Sequence, residues 1–261
     1  MIPKKKIFLL GDAIVDNFYW LTDRENDLRK ELMHLGYDVS NHGAENINVK
    51  NILHHVEPPV IHTKTRTYPY LTEKDGKMYP LRSIINKNKS FTSIYDCLKG
   101  DKDNMIVLSM GGNDIQSHFL KIVLGPEFLM KSVLSQDFIS NFETVIKSCS
   151  SVSGKIVLIS TYLPYLGPES SYAKYSNISK TLIRLWNDFI RDIARKYNIP
   201  VLDLSLTLNP NNRKHYGTDD TRMSNLANTC MAKSIDYIHK NYSGYRVYYA
   251  PDCHHETLVM E

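Results

Sequence analysis

Short runs of apolar and β-branched residues alternate with helix-period segments along this chain, and this alternation limits the possible folds more than any other feature. Between the runs, apolar residues recur at spacings of three and four, the period of an amphipathic helix. Strands separated by helices require crossover connections, which favour parallel pairing. We therefore predict an α/β fold, a three-layer α/β/α sandwich with a mainly parallel five-stranded sheet. The predicted strands are Lys6–Leu10, Tyr37–Ser40, Met105–Ser109, Ile156–Ser160 and Pro200–Leu204.

The length of 261 residues suits one α/β domain with decorated loops better than two independent domains. We predict a single domain over residues 1–261, with an inserted Tyr/Pro-rich hairpin near residues 57–90 and a C-terminal extension near residues 242–261. The hairpin is expected to turn at Asp75-Gly76, because Asp-Gly is a favoured pair for a tight turn.

The charged residues give little indication of a nucleic-acid partner. The chain has 32 Lys and Arg against 28 Asp and Glu, and apart from Lys4-Lys5-Lys6 the basic residues are scattered. The apolar run Ile7–Leu10 is too short for a signal peptide, and no run approaches the roughly eighteen apolar residues that span a bilayer. We expect a soluble protein, cytoplasmic by default, with no nucleic-acid partner and an open oligomeric state.

The cysteine spacing indicates neither a disulfide framework nor a metal site. The four cysteines include no C-x-x-C pair, and three fall in or beside segments with helical periodicity. Paired histidines such as His54-His55 have no carboxylate or cysteine at ligand spacing. We therefore predict buried free thiols, no bound metal and no cofactor.

Reactive groups in a parallel α/β sheet gather beyond the carboxyl ends of the strands, where several loops converge. The first, second and third predicted strands are followed by residues 11–17, 41–46 and 110–114. The third of these segments contains Gly-Gly-Asn-Asp, which lets the backbone approach a ligand and supplies the carboxamide of Asn113 as a donor. The same four residues also suit a tight turn.

In their order, these segments resemble the conserved blocks of the SGNH/GDSL hydrolases. Residues 11–17 read Gly-Asp-Ala-Ile-Val-Asp-Asn and resemble the first block, Gly-Asp-Ser-Ile followed by Asp-Asn, with Ala13 in place of serine. Gly43 matches the glycine of the second block, and Gly111–Asp114 match the Gly-x-Asn-Asp block. Residues 156–164 and 199–203 resemble the family's fourth and fifth strands, so the resemblance covers nearly the whole chain.

The resemblance implies a serine ester hydrolase, an esterase or deacylase acting on a small-molecule or acylated substrate. In that family the first-block serine attacks the carbonyl, a histidine takes its proton, and an aspartate three residues earlier orients the histidine. The oxyanion is held by two backbone N–H groups and an asparagine side chain. In this chain the resemblance assigns those three donors to Ala13, Gly43 and Asn113.

The first departure from the family pattern is Ala13, which has no nucleophilic oxygen. Loss of a catalytic serine typically slows turnover by about a millionfold, so the chain as written is expected to be inert. Because the neighbours Asp12, Ile14, Asp16 and Asn17 still match the block, the sequence favours a deliberate serine-to-alanine inactivation of an esterase. On that explanation, Ala13→Ser restores activity. The other is a natural pseudohydrolase that binds a ligand or protein partner without catalysis.

The second departure concerns the general base, since no histidine stands three residues after Asp219 or Asp220, where the family's Asp-x-x-His block belongs. The spacing does occur near the C-terminus, and it predicts His255 as the base and Asp252 as its orienting carboxylate. By chain position, the reserve candidate is His215, with Asp219 or Asp220 as its orienter.

Overall fold

A computed structural model of the chain describes residues 5–15, 17, 21, 27–43, 48–54, 71–74, 77–80, 103–115, 134–217, 220–254 and 256–260. Its strands are β1 (Lys6–Gly11), β2 (Asp38–Asn41), β3 (Leu71–Lys74), β4 (Lys77–Pro80), β5 (Met105–Ser109), β6 (Lys155–Ile159), β7 (Val201–Leu202), β8 (Val247–Tyr249) and β9 (Leu258–Met260). Its α-helices include α1 (Leu28–His34), α2 (Val49–His54), α3 (Gln136–Val152), α4 (Ser176–Lys196), α5 (Leu204–Thr207) and α6 (Asn225–Lys240).

One seven-stranded sheet forms the centre of the fold, in the order β2-β1-β5-β6-β7-β8-β9. Neighbouring strands from β2 to β8 pair in parallel, and β9 closes one edge by pairing antiparallel with β8. The predicted α/β fold with a mainly parallel sheet is therefore confirmed. The sheet has two strands beyond the five predicted. Strand β8 falls in a strand-like run at residues 245–249, whereas β9 is three residues long and too short to show a clear strand period.

Helices cover both faces of the sheet, so its central strands are buried on both sides. Every residue of β5 is buried, as is β1 beyond its first residue. Alternate residues of β1 enter different cores. Phe8 and Leu10 pack in the core that contains Trp186 of α4. Ile7 and Leu9 pack in the opposite core, which α1 and α6 cover.

The residues described between 71 and 80 form an antiparallel ladder. Strands β3 and β4 pair with Lys74 opposite Lys77, as expected for a hairpin in the predicted insertion. The predicted turn residues Asp75-Gly76 lie outside the described residues, as does most of the insertion near residues 57–90. The predicted domain limits therefore stay a prediction.

Among the described residues, no helix has the length and apolar character needed to cross a membrane. The same part of the chain contains no group of three or more His, Cys, Asp or Glu side chains that could hold a metal ion.

His239 near the end of α6 gives the fold a pH dependence. Burial lowers the pKa of His239 to about 4, helped by the charges of Lys155 and Lys5, and its ring packs edge-on against Tyr37 with centroids 5.2 Å apart. An unfolded histidine titrates near 6.5, so the unfolded chain binds this proton first as the pH falls. The free energy of unfolding therefore decreases between about pH 6.5 and pH 4.

Between pH 7 and pH 4.5, we expect the free energy of unfolding to fall by about 2 to 3 kcal/mol less in His239→Gln than in the wild-type protein. The reason is that one pKa unit corresponds to about 1.4 kcal/mol. Urea unfolding at pH 7 and pH 4.5 measures the difference for each protein. His34→Gln is the control, because the His34 side chain is exposed at the end of α1. An equal loss in the wild-type and His239→Gln proteins would show that His239 is not the group responsible.

Candidate active site

The turn that carries Ala13 begins where β1 ends, beside the end of β5. The Asp12 N–H donates to the Ser109 carbonyl at 3.0 Å, and the Val15 N–H returns to the Asp12 carbonyl at 3.1 Å. Gly11 precedes this turn with a φ of 131°, a left-handed conformation that favours glycine. Ala13 is thus held at the carboxyl end of the sheet, where its resemblance to the first block placed it.

The Asp12 side chain stabilises this turn from within. Its Oδ1 atom accepts hydrogen bonds from the Ser109 hydroxyl at 2.7 Å and from the Ile14 N–H at 3.1 Å. Burial raises the pKa of the Asp12 carboxyl, and these hydrogen bonds and the positive charge of Arg222 oppose the rise. Asp12 therefore positions Ala13 and is itself within electrostatic reach of Arg222.

Ala13 and Asn113 line the same cleft, which has a volume of about 400 Å³. Apolar side chains, among them Ile14, Ile115 and Leu182, form much of its wall. A cleft of this size with an apolar wall and a few polar groups is typical of a small-molecule site. Both residues reach this cleft because each lies in the segment that follows one of two neighbouring strands, β1 and β5.

The Gly-Gly-Asn-Asp segment connects this cleft to the rest of the fold. Gly111 has a φ of 97°, and a Cβ atom at this position would lie 2.0 Å from the Trp186 ring. The Asp114 carboxylate accepts from the N–H of Val49, the first residue of α2, at 3.1 Å. The segment is therefore fixed at both ends, and Asn113 is presented to the cleft between them.

Gly43 follows β2, on the far side of β1 from β5. The preceding His42 N–H donates to the Leu9 carbonyl at 2.7 Å, which holds this loop against β1. The Gly43 N–H donates to the side-chain oxygen of Asn41 at 2.8 Å. In this structure the Gly43 N–H thus donates within its own loop. Its assignment as an oxyanion donor stays a prediction.

Arg222 also lines the cleft, and sequence reasoning missed it. It stands three residues after Asp219, so the spacing of the family's Asp-x-x-His block is kept while arginine occupies the histidine position. The sequence shows this arginine when position 222 is identified by its spacing from Asp219 instead of by the presence of a histidine. A guanidinium stays protonated in proteins and cannot take a proton from a serine. Asp219 lies outside the described residues.

Hydrogen bonds fix the segment that carries Arg222. The Tyr162 hydroxyl donates to the Thr221 carbonyl at 2.8 Å, and the Gly217 N–H donates to the Arg222 carbonyl at 2.7 Å. Ser224 then caps α6 by accepting from the Ala227 N–H. The backbone on both sides of Arg222 is therefore tied down, which fixes where its side chain enters the cleft.

Asp220, one of the two reserve orienting carboxylates, is bound to other groups. Its Oδ2 atom accepts from the Ser170 hydroxyl at 2.8 Å, and its Oδ1 atom accepts from Arg213 at 2.9 Å. The Asp220 carbonyl accepts from the Tyr165 N–H at 2.7 Å. Asp220 therefore anchors the loop before α6.

His215, the reserve base, is fully buried, and none of the described residues that line the cleft is a histidine. The Nδ1 atom accepts from the Asn209 N–H at 2.9 Å, and the Nε2 atom lies 3.2 Å from the Asn212 amide nitrogen. Burial lowers the pKa of His215, while the charge of Asp252 raises it. The structure thus brings together the reserve base and the carboxylate that was paired with His255.

Asp252 itself is exposed, in the turn that follows β8. Strand β8 lies four positions from β1 in the sheet, a lateral separation of roughly 19 Å at the usual strand spacing. His255 lies outside the described residues, so its role as the base stays a prediction.

Comparison with known families identifies one match. A family model described as GDSL-like Lipase/Acylhydrolase family matches residues 84–247, a stretch that includes Asn113 and Arg222. The blocks that contain Ala13 and Gly43 precede this stretch. A comparison with curated proteins gave no match.

Solved structures with the same fold include several ester hydrolases. A lipase from a goat rumen metagenome is 14% identical, with a TM-score of 0.57 over 90% of this chain and 97% of that one. An acetyl xylan esterase from Geobacillus stearothermophilus is 13% identical, with a TM-score of 0.53 over 90% and 94%. A member of the lipolytic G-D-S-L family from Veillonella parvula is 12% identical, with a TM-score of 0.52 over 87% and 93%.

Proposed function

Because the chain belongs to the GDSL-like lipase/acylhydrolase family yet has Ala13 and Arg222 in its cleft, we propose that it is a non-catalytic member that binds an acylated small molecule intact. The family consists of hydrolases that act on ester bonds.

Arg222 is the observation that carries the proposal. Acyl transfer by a serine requires both the hydroxyl and a base within hydrogen-bond reach, and a guanidinium cannot act as that base. The chain therefore departs from the catalytic pattern at two separate positions, 13 and 222. A deliberate serine-to-alanine change would alter only the first of them. The second departure supports a natural pseudohydrolase over an inactivated esterase.

Two features of the cleft support the binding of an ester. Asn113 lines the cleft together with Ala13, and a carboxamide N–H can donate to a carbonyl oxygen. The apolar side chains of Ile14, Ile115 and Leu182 provide a surface for a hydrocarbon chain. These groups act on a ligand without breaking it, so binding does not require the missing nucleophile.

The proposal predicts that the wild-type protein binds acyl esters and leaves them whole. We expect p-nitrophenyl esters of graded acyl length to bind saturably in ligand-observed NMR, with no nitrophenol released above the buffer rate. A fluorophosphonate probe should leave the protein unlabelled, because Ala13 offers no nucleophile. Enzymatic release of nitrophenol, or covalent labelling that maps to the cleft, would contradict the proposal.

Filling the cleft is expected to weaken binding. Ser179 is a buried residue of α4 that lines the cleft, and Ser179→Leu adds apolar volume there. We expect the Kd for the best-bound ester to rise at least about tenfold, since about 1.4 kcal/mol of lost contact energy suffices for that change. Lys180→Leu is the matched control, because Lys180 is the next residue and is exposed. Equal Kd values for the two variants would place the ligand elsewhere.

A further inference from the structure

Two buried thiols face each other between α6 and the turn after β8. Cys230 is on α6, and Cys253 ends the short 3₁₀ helix Pro251–Cys253. Their exposed fractions are 6% and 8%, and both belong to the core under α6. The two side chains lie within interaction range, and a thiol–thiol hydrogen bond is the first cause of the shift in the pKa of each. Both cysteines are free in this structure, in agreement with the predicted free thiols.

The backbone at Cys253 is unusual. Asp252 and Cys253 are consecutive non-glycine residues in the left-handed region, with φ values of 52° and 55°. Each such residue costs about 1 to 2 kcal/mol in an isolated chain, so the surrounding packing must hold them there. The turn that carries Cys253 packs against α6, and this packing brings its thiol to Cys230.

We propose that Cys230 and Cys253 are a redox-active pair that forms a reversible disulfide on reaction with a small peroxide, fastening the C-terminal segment to α6. Neither cysteine is among the residues that line the cleft, and this inference does not depend on the proposed function.

Cys230 is the group that reacts first. The hydrogen bond from Cys253 lowers the pKa of the Cys230 thiol, which favours its thiolate, while the same contact and burial raise the pKa of Cys253. The Cys230 thiolate attacks a peroxide oxygen, the O–O bond breaks, and a sulfenic acid forms with release of hydroxide. The Cys253 sulfur then attacks that sulfur, loses its proton and displaces the hydroxyl as water. In sum, two thiols and one hydrogen peroxide give one disulfide and two waters.

Cys149 provides an internal comparison. It is fully buried in the opposite core, and burial raises the pKa of its thiol to about 12. A thiol that burial keeps protonated reacts slowly with peroxide, because the thiolate is the reactive form. The structure therefore assigns opposite reactivity to Cys149 and to the Cys230–Cys253 pair.

Peptide mapping tests the pairing directly in the full-length wild-type protein. After treatment with a few equivalents of hydrogen peroxide and alkylation of the remaining thiols, trypsin should yield residues 223–233 joined to residues 247–261. Dithiothreitol should separate the two peptides. The peptide of residues 148–155, which contains Cys149, should be recovered in its alkylated form once the protein is denatured. Recovery of Cys230 and Cys253 unlinked, or linked to other cysteines, would overturn the proposal.

The melting temperature provides a second readout. A disulfide that closes the loop from Cys230 to Cys253 restricts the unfolded chain, so oxidation should raise the melting temperature by about 5 to 10 °C in a reversible way. Cys253→Ala should remove this rise, and Cys149→Ala should retain it. A rise of equal size in the Cys253→Ala protein would show that another oxidation is responsible.

Discussion

The double variant Ala13→Ser/Arg222→His is expected to hydrolyse p-nitrophenyl acetate at least about a thousandfold faster than wild type, whereas Ala13→Ser alone stays near the wild-type rate. The reason is that the serine needs a base, and position 222 lies in the cleft three residues after Asp219. General-base assistance typically contributes about a hundredfold to ten-thousandfold. The sequence alone predicted that serine at position 13 would suffice, and Arg222 changes that expectation.

The measurement compares initial rates and fluorophosphonate labelling for four proteins: wild type, each single variant and the double variant. Ala13→Ser/Arg222→Gln is the matched control, because it removes the positive charge without supplying a base. If that control is as active as the histidine variant, the arginine acts only through its charge. If Ala13→Ser alone is active, a base outside position 222 is at work. His255→Ala in that background then tests the base predicted from the Asp252 spacing.

The sequence predicted that Ala13 and Asn113 lie at the same end of the sheet, because strand order determines which loops meet. Ala13 and Asn113 follow β1 and β5, which are adjacent in the sheet, and both line one cleft. Their roles in chemistry stay predictions. The sequence did not reveal Arg222, because the search at that position was for histidine. Neither did it reveal β9, which is short and has no fully buried residue to mark it as a strand.

The environment of His215 shows why position along the chain does not by itself identify the general base. It lies in the expected part of the chain, between the fifth predicted strand and the last helix. Its ring is buried, with Nδ1 accepting from the Asn209 N–H and Nε2 lying against the side chain of Asn212. A histidine side chain can face a cleft or the interior, depending on which nearby backbone groups need a hydrogen-bond partner. Those groups are known only once the chain is folded, so the sequence does not show which way the ring points.

Gly11→Ala is expected to prevent folding or to reduce the free energy of unfolding by about 4 kcal/mol or more. Gly11 pairs with Ser109 at the end of the β1–β5 ladder, and a Cβ atom at Gly11 would lie 1.6 Å from the Ser109 carbonyl oxygen. That oxygen belongs to the backbone of a buried strand and accepts the Asp12 N–H, so it cannot move without breaking the ladder. The φ of 131° adds strain for any residue with a side chain.

Gly36→Ala is the matched control for this substitution. Gly36 also has a positive φ, 97°, but nothing lies within 4 Å of a Cβ atom built there. The control therefore measures the left-handed strain alone, about 1 to 2 kcal/mol. Urea unfolding of both variants and wild type gives the two differences. A loss for Gly11→Ala no larger than that for Gly36→Ala would mean that β1 and β5 separate easily at this point. The turn that holds Ala13 beside Asn113 would then be less rigid than the structure indicates.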